Sequence, residues 1–336
     1  MREASLYSRR EDKSVDCYLC AFHCHIQEGK RGICGVRENI HGVLNTLVYG
    51  PLIAENIDPI EKKPLFHFLP STSTYSIATA GCNFRCRHCQ NYEISQGARE
   101  LKEIPGRAAT PESVVEAALS AKCRSISYTY TEPTIFFEFA RDTAIAAKKA
   151  GLKNIFVTNG YMTKQCLGEL EGLLDGANVD IKAFTDEFYK KICGARLAPV
   201  LESIVEMRRL GIWVEVTTLI IPGLNNSPEE LRELARWIYK TDKSMPWHIS
   251  AFYPTYKLLD APPTSADDLI TARNIGLDEG LRYVYTGNIP GLTGESTACY
   301  KCGSLIIKRH GYSIGEVFLQ GSQCPHCEAV INGIWT

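Results

Sequence analysis

TAGCNFRCRHCQNYEIS, running from Thr79 to Ser95, is the stretch from which the rest of the chain is read. Its cysteines, Cys82, Cys86 and Cys89, fall in the spacing C-x3-C-x2-C, with Gly81 just before the first and Asn83 just after it. Three thiolates so close together converge on one soft metal centre. A disulfide between any two would strand the third, and the local chain is too short for a comfortable bridge. Zinc in a structural site asks for a fourth protein ligand, whereas an iron-sulfur cube held by three cysteines keeps one iron open for chemistry. A wholly structural knuckle is the remaining reading of the same spacing.

The segment before the loop, residues 73–79, has the pattern of a buried strand that delivers Cys82 at its C-terminal end, where an α/β barrel places its active site. Strand and helix then alternate. Thr110 caps a helix with Pro111 in its first turn. Strands are expected at 125–133, 152–160, 177–184, 212–221 and 247–252. Helices are expected between them at 135–151, 163–176, 197–211 and 228–239. A helix after a Ser265 cap and a strand at 281–288 follow. This alternation predicts an α/β fold with a parallel barrel or open arc. A doubly wound nucleotide fold is the alternative, but no G-x-G-x-x-G follows the first strand. Upstream, residues 42–70 read as small strands wrapping the entrance to the main domain.

At 336 residues the chain is long enough for one large domain with small appendages, and 45% hydrophobic with 22% charged residues is a globular composition. A formal charge of -1 gives no reason to expect a long nucleic-acid footprint. No run approaches the length of about 18 apolar residues that a membrane span needs. The N-terminus lacks the apolar core of a signal peptide, so a cytoplasmic protein that does not enter a membrane is expected. In that setting the clustering of the fourteen cysteines points to metal rather than disulfides.

Two further cysteine groups flank the central loop. Cys17, Cys20, Cys24 and Cys34 can close a zinc site or hold a second iron-sulfur cluster, and His23 or His25 can replace one thiolate. Cys299 and Cys302 form one C-x2-C knuckle, and Cys324 and Cys327 form another after 21 intervening residues. That is zinc-ribbon spacing, with a hairpin turning at Gly311 between the knuckles and metal supplying the folding energy.

The loop GCNFRCRHCQNYEIS and the stretch YTYTEPTIFFEF resemble the radical S-adenosylmethionine (SAM) enzymes, in the branch related to the pyruvate formate-lyase activating enzyme. The nearest group is the one associated with AMMECR1-like and Memo-like proteins, and the resemblance runs from Cys17 to Trp335. It implies a partial (β/α)6 barrel over residues 71–290, preceded by a Cys-rich extension at 1–70 and followed by a zinc-ribbon-like segment at 291–336. It also implies a [4Fe-4S] cluster on Cys82, Cys86 and Cys89, with SAM on the open iron. Reductive cleavage would give methionine and a 5′-deoxyadenosyl radical that abstracts hydrogen from a substrate. An electron donor such as flavodoxin or ferredoxin is implied, with AMMECR1-like and Memo-like proteins as partners.

The same resemblance places Tyr130 and Thr131 where relatives carry two glycines, beside Glu132, whose carboxylate suits the methionyl ammonium. Asn159, in Thr158-Asn159-Gly160, is a further SAM contact. Val157 stands where the activating enzyme has an aspartate, so no monovalent-cation site is expected there. Asp180 and Lys182 lie two apart and share a strand face, as do Glu215 and Thr217. These four are expected at the cofactor, with Lys182 and His248 also candidates for catalysis. The substrate is a peptide, a protein or a small molecule, and a glycyl-radical activase is the neighbouring possibility. The rival reading is a non-catalytic multi-metal scaffold that binds RNA or protein. It has no use for convergent polar groups at barrel strand ends.

Overall fold

The computed structural model describes residues 2–99, 101, 103–289 and 291–336. Six short strands come first: β1 (Arg2–Glu3), β2 (Tyr7–Arg9), β3 (Val15–Cys17), β4 (His25–Ile26), β5 (Arg37–Ile40) and β6 (Val43–Thr46). They form two small antiparallel sheets of order β1-β6-β5 and β2-β3-β4. The main sheet contains β7 (Pro51–Pro59), β8 (Ser73–Thr79), β9 (Arg107–Ala108), β10 (Ser125–Tyr128), β11 (Lys153–Thr158), β12 (Gly176–Asp180), β13 (Trp213–Ile220), β14 (Trp247–Ala251) and β15 (Val284–Gly287).

Its order is β15-β14-β13-β12-β11-β10-β8-β7-β9. Every pair from β8 to β15 is parallel, and β7 runs antiparallel to both β8 and β9. The six strands from β8 to β14 make the expected arc, and β15 extends it. Strands β10 to β13 are buried at almost every position, as parallel strands covered on both faces must be.

The helices are α1 (Tyr92–Gln96), α2 (Pro111–Ser120), α3 (Phe137–Lys149), α4 (Lys164–Gly168), α5 (Asp186–Phe188), α6 (Ala198–Arg209), α7 (Pro228–Asp242) and α8 (Ala266–Asp278). Local chemistry sets their starts. Thr110 and Ser265 each close a reciprocal capping box, and Ser227 caps α7 ahead of Pro228. The helix expected over 163–176 stops early: α4 ends at Gly168, and Gly172 has a left-handed φ of 68° that no helix continues through.

The larger departure concerns residues 51–70. Residues 51–59 are not an entrance wrap but a full strand, β7, hydrogen-bonded into the main sheet. Residues 64–70 form no strand; they turn inward and plug the base of the arc. Phe68 packs with Ile60, Leu65, Leu69, Ile155 and Trp213 in a separate apolar cluster. Gly176 allows this approach, because a Cβ there would stand 2.9 Å from the Phe68 ring. The C-terminal segment forms the sheet β16 (Thr297–Ala298), β17 (Leu305–His310) and β18 (Ser313–Val317), with the hairpin turning at Gly311 as expected. No helix among the described residues is long and apolar enough to cross a membrane.

Candidate active site

A cavity of about 580 Å³ opens at the C-terminal ends of the parallel strands, and Cys82, Cys86 and Cys89 all line it. Gly81 makes the turn that delivers them. Its φ is 108°, and a Cβ would lie 2.7 Å from Val36 Cγ1, so only glycine fits between β8 and the N-terminal extension. The loop is then pinned from both sides. Arg85 and Arg87 donate their amides to the carbonyls of Cys193 and Ile192 at 2.8 and 2.9 Å. Arg99 donates to the carbonyls of Cys82 and Phe84 at 2.7 and 2.8 Å.

The three sulfurs form no group whose ligand atoms all lie within 4.8 Å of one another; among the described residues that closeness belongs to the C-terminal cysteines. Three thiols with no fourth protein ligand are the donor set of a cluster that keeps one iron open rather than of a closed structural zinc site. Burial pushes the Cys82 thiol well above its usual range, and the Glu132 charge adds to this. The Cys86 thiol is also raised, by its hydrogen bond to Cys193 and then by burial. Such thiols ionise readily only with a cationic centre among them. Asn83 Nδ2 and His88 Nδ1, on the same loop, are buried and have no protein hydrogen-bond partner.

The strand ends bring polar groups to the same cavity. Glu132 is buried, and its Oε1 accepts from the amide of Thr134 and from Thr158 Oγ1 at 3.0 and 2.7 Å. Its Oε2 accepts from the Asn159 amide at 2.8 Å, which leaves lone-pair capacity on that oxygen. Burial raises the carboxyl against these bonds, so an ammonium in the cavity would favour its charged form. Asn159 donates from Nδ2 to Asn83 Oδ1 at 2.7 Å, joining the β11 end to the cysteine loop.

Asp180 and Lys182 both line the cavity and pair at 2.9 Å. Burial opposes the Lys182 charge, but Asp180 and the sulfurs of Cys86 and Cys193 outweigh it and hold the ammonium protonated. Thr217 and His248 also line the cavity. Glu215 does not: it lies a layer below, with its carboxylate taken by protein donors, so its expected contact with the cofactor is replaced by a supporting position under His248.

The Radical SAM superfamily profile matches residues 76–238. A protein of Methanocaldococcus jannaschii, named only as uncharacterized, is 48% identical over 330 residues, which is 97% of this chain and 98% of its own length. The chain belongs to the radical SAM superfamily. A second protein of that organism, named a putative glycyl-radical enzyme activating enzyme, is 24% identical over 206 residues, or 60% of this chain and 76% of that one. In fold, the radical SAM methyltransferase of Sphaerobacter thermophilus matches with a TM-score of 0.52 at 16% identity, over 71% of each chain.

Part of the cavity's support comes from residues that carry no motif in the sequence. Asp58, at the end of β7, accepts from Lys62 and Lys63 at 2.9 and 2.7 Å and from the Tyr130 hydroxyl. Burial alone would raise the Asp58 carboxyl, but these bonds hold it far below the usual carboxylate range. Tyr130 itself has a φ of 61°, the left-handed conformation that glycine adopts freely. Here the phenol anchored on Asp58 and the Lys63 ammonium 4.5 Å from the ring centre hold it in place. The nearest signal in the sequence is the charge run Glu61-Lys62-Lys63. Tyr130→Phe is expected to lower stability by about 1.5–3 kcal/mol, the range for a hydrogen bond to a charged group, with iron content unchanged. Urea unfolding of the reconstituted protein reads the first and iron analysis the second.

The terminal cysteine groups differ in geometry. Cys299, Cys302, Cys324 and Cys327 lie mutually within 4.8 Å, with sulfur pairs at 3.6 and 3.7 Å. Tetrahedral zinc with Zn–S bonds of about 2.3 Å sets sulfur edges near ~3.8 Å, so the set fits a single zinc ion. The ribbon also reaches the cavity, where Tyr312 at the β17–β18 turn forms part of the wall. Cys17, Cys20, Cys24 and Cys34 form no group within that limit.

Proposed function

We propose that this chain reductively cleaves SAM at a [4Fe-4S] cluster held by Cys82, Cys86 and Cys89 and abstracts hydrogen from a peptide, protein or small-molecule substrate. The observation that carries this reading is the convergence of those three cysteines, Glu132, Asn159, Asp180 and Lys182 on one cavity. When bound, the cluster supplies one electron to the sulfonium of SAM, giving methionine and a 5′-deoxyadenosyl radical.

The chain's own residues orient and shield that chemistry. Glu132 Oε2 offers an acceptor for the methionyl ammonium, with Tyr130 and Thr131 forming the turn around it. Asn159 ties that strand end to the cysteine loop. Asp180 and Lys182 present a fixed ion pair to the polar part of the cofactor, with Thr217 beside them and His248 on the wall near the substrate. Zinc at Cys299, Cys302, Cys324 and Cys327 would fold the ribbon that brings Tyr312 to the mouth. A low-potential flavodoxin or ferredoxin is the electron donor in this reading, and AMMECR1-like and Memo-like proteins are the partners. The similarity to a relative named a putative glycyl-radical enzyme activating enzyme supports a second reading, in which the substrate is the backbone glycine of a partner protein.

Anaerobically reconstituted protein with dithionite and SAM is expected to release 5′-deoxyadenosine and methionine in equal amounts. Absence of both from a protein carrying its full iron complement would overturn the assignment. Deuterium transfer from candidate substrates into 5′-deoxyadenosine then separates the two readings. Lys182→Met is expected to retain iron and slow SAM cleavage by roughly 10–100-fold, the range for loss of a supporting polar partner at a metal site. An unchanged rate would remove Lys182 from the site.

A further inference from the structure

The four N-terminal cysteines lie on a segment that folds tightly back on itself. Cys17 and Cys34 are buried, Cys20 and Cys24 are half-buried, and none forms a disulfide. The chain folds back on itself around them. The Cys17 amide donates to the Cys24 carbonyl at 2.9 Å, and Gly32 and Gly35 make turns held by the carbonyls of Arg37 and Gly32. A Cβ on Gly32 would lie 3.8 Å from Cys24 Sγ, so the last loop closes over that sulfur. Burial pushes the Cys20 thiol well above its usual range, and Cys17, Cys34 and Cys24 each add to this.

Their sulfurs are not gathered as those of the ribbon are. The ribbon sulfurs show the spacing that a single zinc requires, whereas Cys17, Cys20, Cys24 and Cys34 form no such close group among the described residues. Cys82, Cys86 and Cys89 likewise form no such close group. The local patterns match as well, since Cys17-x2-Cys20-x3-Cys24 is the Cys82 loop's spacing in reverse order. Arg37 adds an independent sign. Its guanidinium is 1% exposed, donates from Nη1 to Cys17 Sγ at 3.5 Å and pairs with buried Glu138, while its Nε has no protein partner. A buried cation against a thiolate suits a centre that carries, and periodically increases, negative charge.

The position is equally specific. Arg99 donates from Nε to the Ile33 carbonyl at 2.9 Å and from Nη2 to the Cys82 carbonyl, so one guanidinium clamps the two cysteine loops together. Phe22, Tyr161 and Phe84 continue the contact as a run of rings with centres 4.8 and 5.1 Å apart.

We propose that Cys17, Cys20, Cys24 and Cys34 hold an iron-sulfur cluster rather than zinc, and that it serves as the electron entry to the neighbouring Cys82 site. One electron enters from a low-potential donor of the ferredoxin or flavodoxin class and leaves to the Cys82 site, with no bond or proton exchanged at the N-terminal centre. The relay role rests on the radical SAM reading above; the identity of the metal does not.

The experiment uses the full chain with Cys82, Cys86 and Cys89 all replaced by alanine. After anaerobic reconstitution it is expected to keep about two to four irons with matching sulfide. After dithionite it should show an electron paramagnetic resonance signal that SAM does not alter and that the added Cys20→Ser and Cys24→Ser changes abolish. A triple variant with two zinc ions and no iron would overturn the cluster, whether or not the wild type cleaves SAM. For the relay, Cys20→Ser/Cys24→Ser in the otherwise wild-type chain should lower the ratio of donor-driven to dithionite-driven SAM cleavage at least tenfold. An unchanged ratio would sink the relay. A double variant without iron at the Cys82 site gives no ratio, and the relay is then decided by rapid-mix reduction of the wild type. The SAM-insensitive signal must appear before the SAM-sensitive one, and the reverse order overturns it.

Discussion

Cys86→Ala is expected to reduce SAM cleavage to the level of a no-enzyme control and to remove the iron bound at the Cys82 loop. The reasoning is one of ligand count. A cluster that already leaves one iron without a protein ligand has only three thiolates, and removing one leaves two. The chain holds a candidate substitute, because the buried thiol of Cys193 hydrogen-bonds to Cys86. Cys193 does not line the cavity, however. It sits in the π-turn Tyr189–Cys193, whose carbonyls receive the amides of Arg85 and Arg87. Moving its sulfur to the Cys86 position would break the hydrogen bonds that shape the loop. Cys193→Ala is therefore expected to retain iron and SAM cleavage, and Cys86→Ala to lose both. Iron and sulfide analysis with 5′-deoxyadenosine chromatography reads the pair. Cleavage by Cys86→Ala, or its loss in Cys193→Ala with Cys86 intact, would mean that the ligand set is misassigned.

How far the sequence discloses this site depends on the range of the interactions involved. The Cys82 spacing, the caps at Thr110 and Ser265 and the two ribbon knuckles are local, and each is legible from a few adjacent residues. Asp180 ends β12 and Lys182 follows two residues on, so the two-residue repeat of the expected strand finds the pair, and Glu132 and Asn159 lie just beyond strands that hydrophobic pattern locates. Asp58, Lys62 and Lys63 escape such reading because β7 joins the sheet antiparallel, through pairing with β8 that no local signal announces. Residues 64–70 look like a strand by apolar content, yet their hydrophobic groups fill the base of an arc whose strands lie far along the chain. The left-handed turn at Tyr130 is likewise tertiary, since contacts from Asp58, Lys63 and Asn91 hold it.

Glu215 is the plainest case of period-two reasoning that finds the face and misses the depth, and its replacement carries the largest expected effect on stability. The side chain is fully buried. Oε1 accepts from the His67 amide at 2.8 Å and from Trp213 Nε1 at 3.0 Å; Oε2 accepts from the Phe66 amide at 3.0 Å and lies 2.6 Å from His248 Nε2. Burial alone would raise this carboxyl, but the His248 contact, His67 and Trp213 outweigh it and hold the group below the usual glutamate range. One carboxylate thus fastens the plug segment to β13 and fixes the ring of His248, which stacks on Tyr285 at 5.2 Å. The network continues from His67 Nε2 through the Tyr285 hydroxyl and Thr297 to Arg309, which donates back to the Phe66 carbonyl at 2.7 Å. Fold base, cavity wall and ribbon therefore share one support. Glu215→Leu leaves two backbone amides, an indole N–H and an imidazole without an acceptor in the interior, and a loss of roughly 3–5 kcal/mol is expected. Glu215→Gln keeps one acceptor oxygen but turns an amide toward donors, so it should lie between the wild type and the leucine variant. The urea midpoint at constant slope reads the order. A glutamine variant as stable as the wild type but unable to cleave SAM would return Glu215 to the cofactor and take it out of the scaffold.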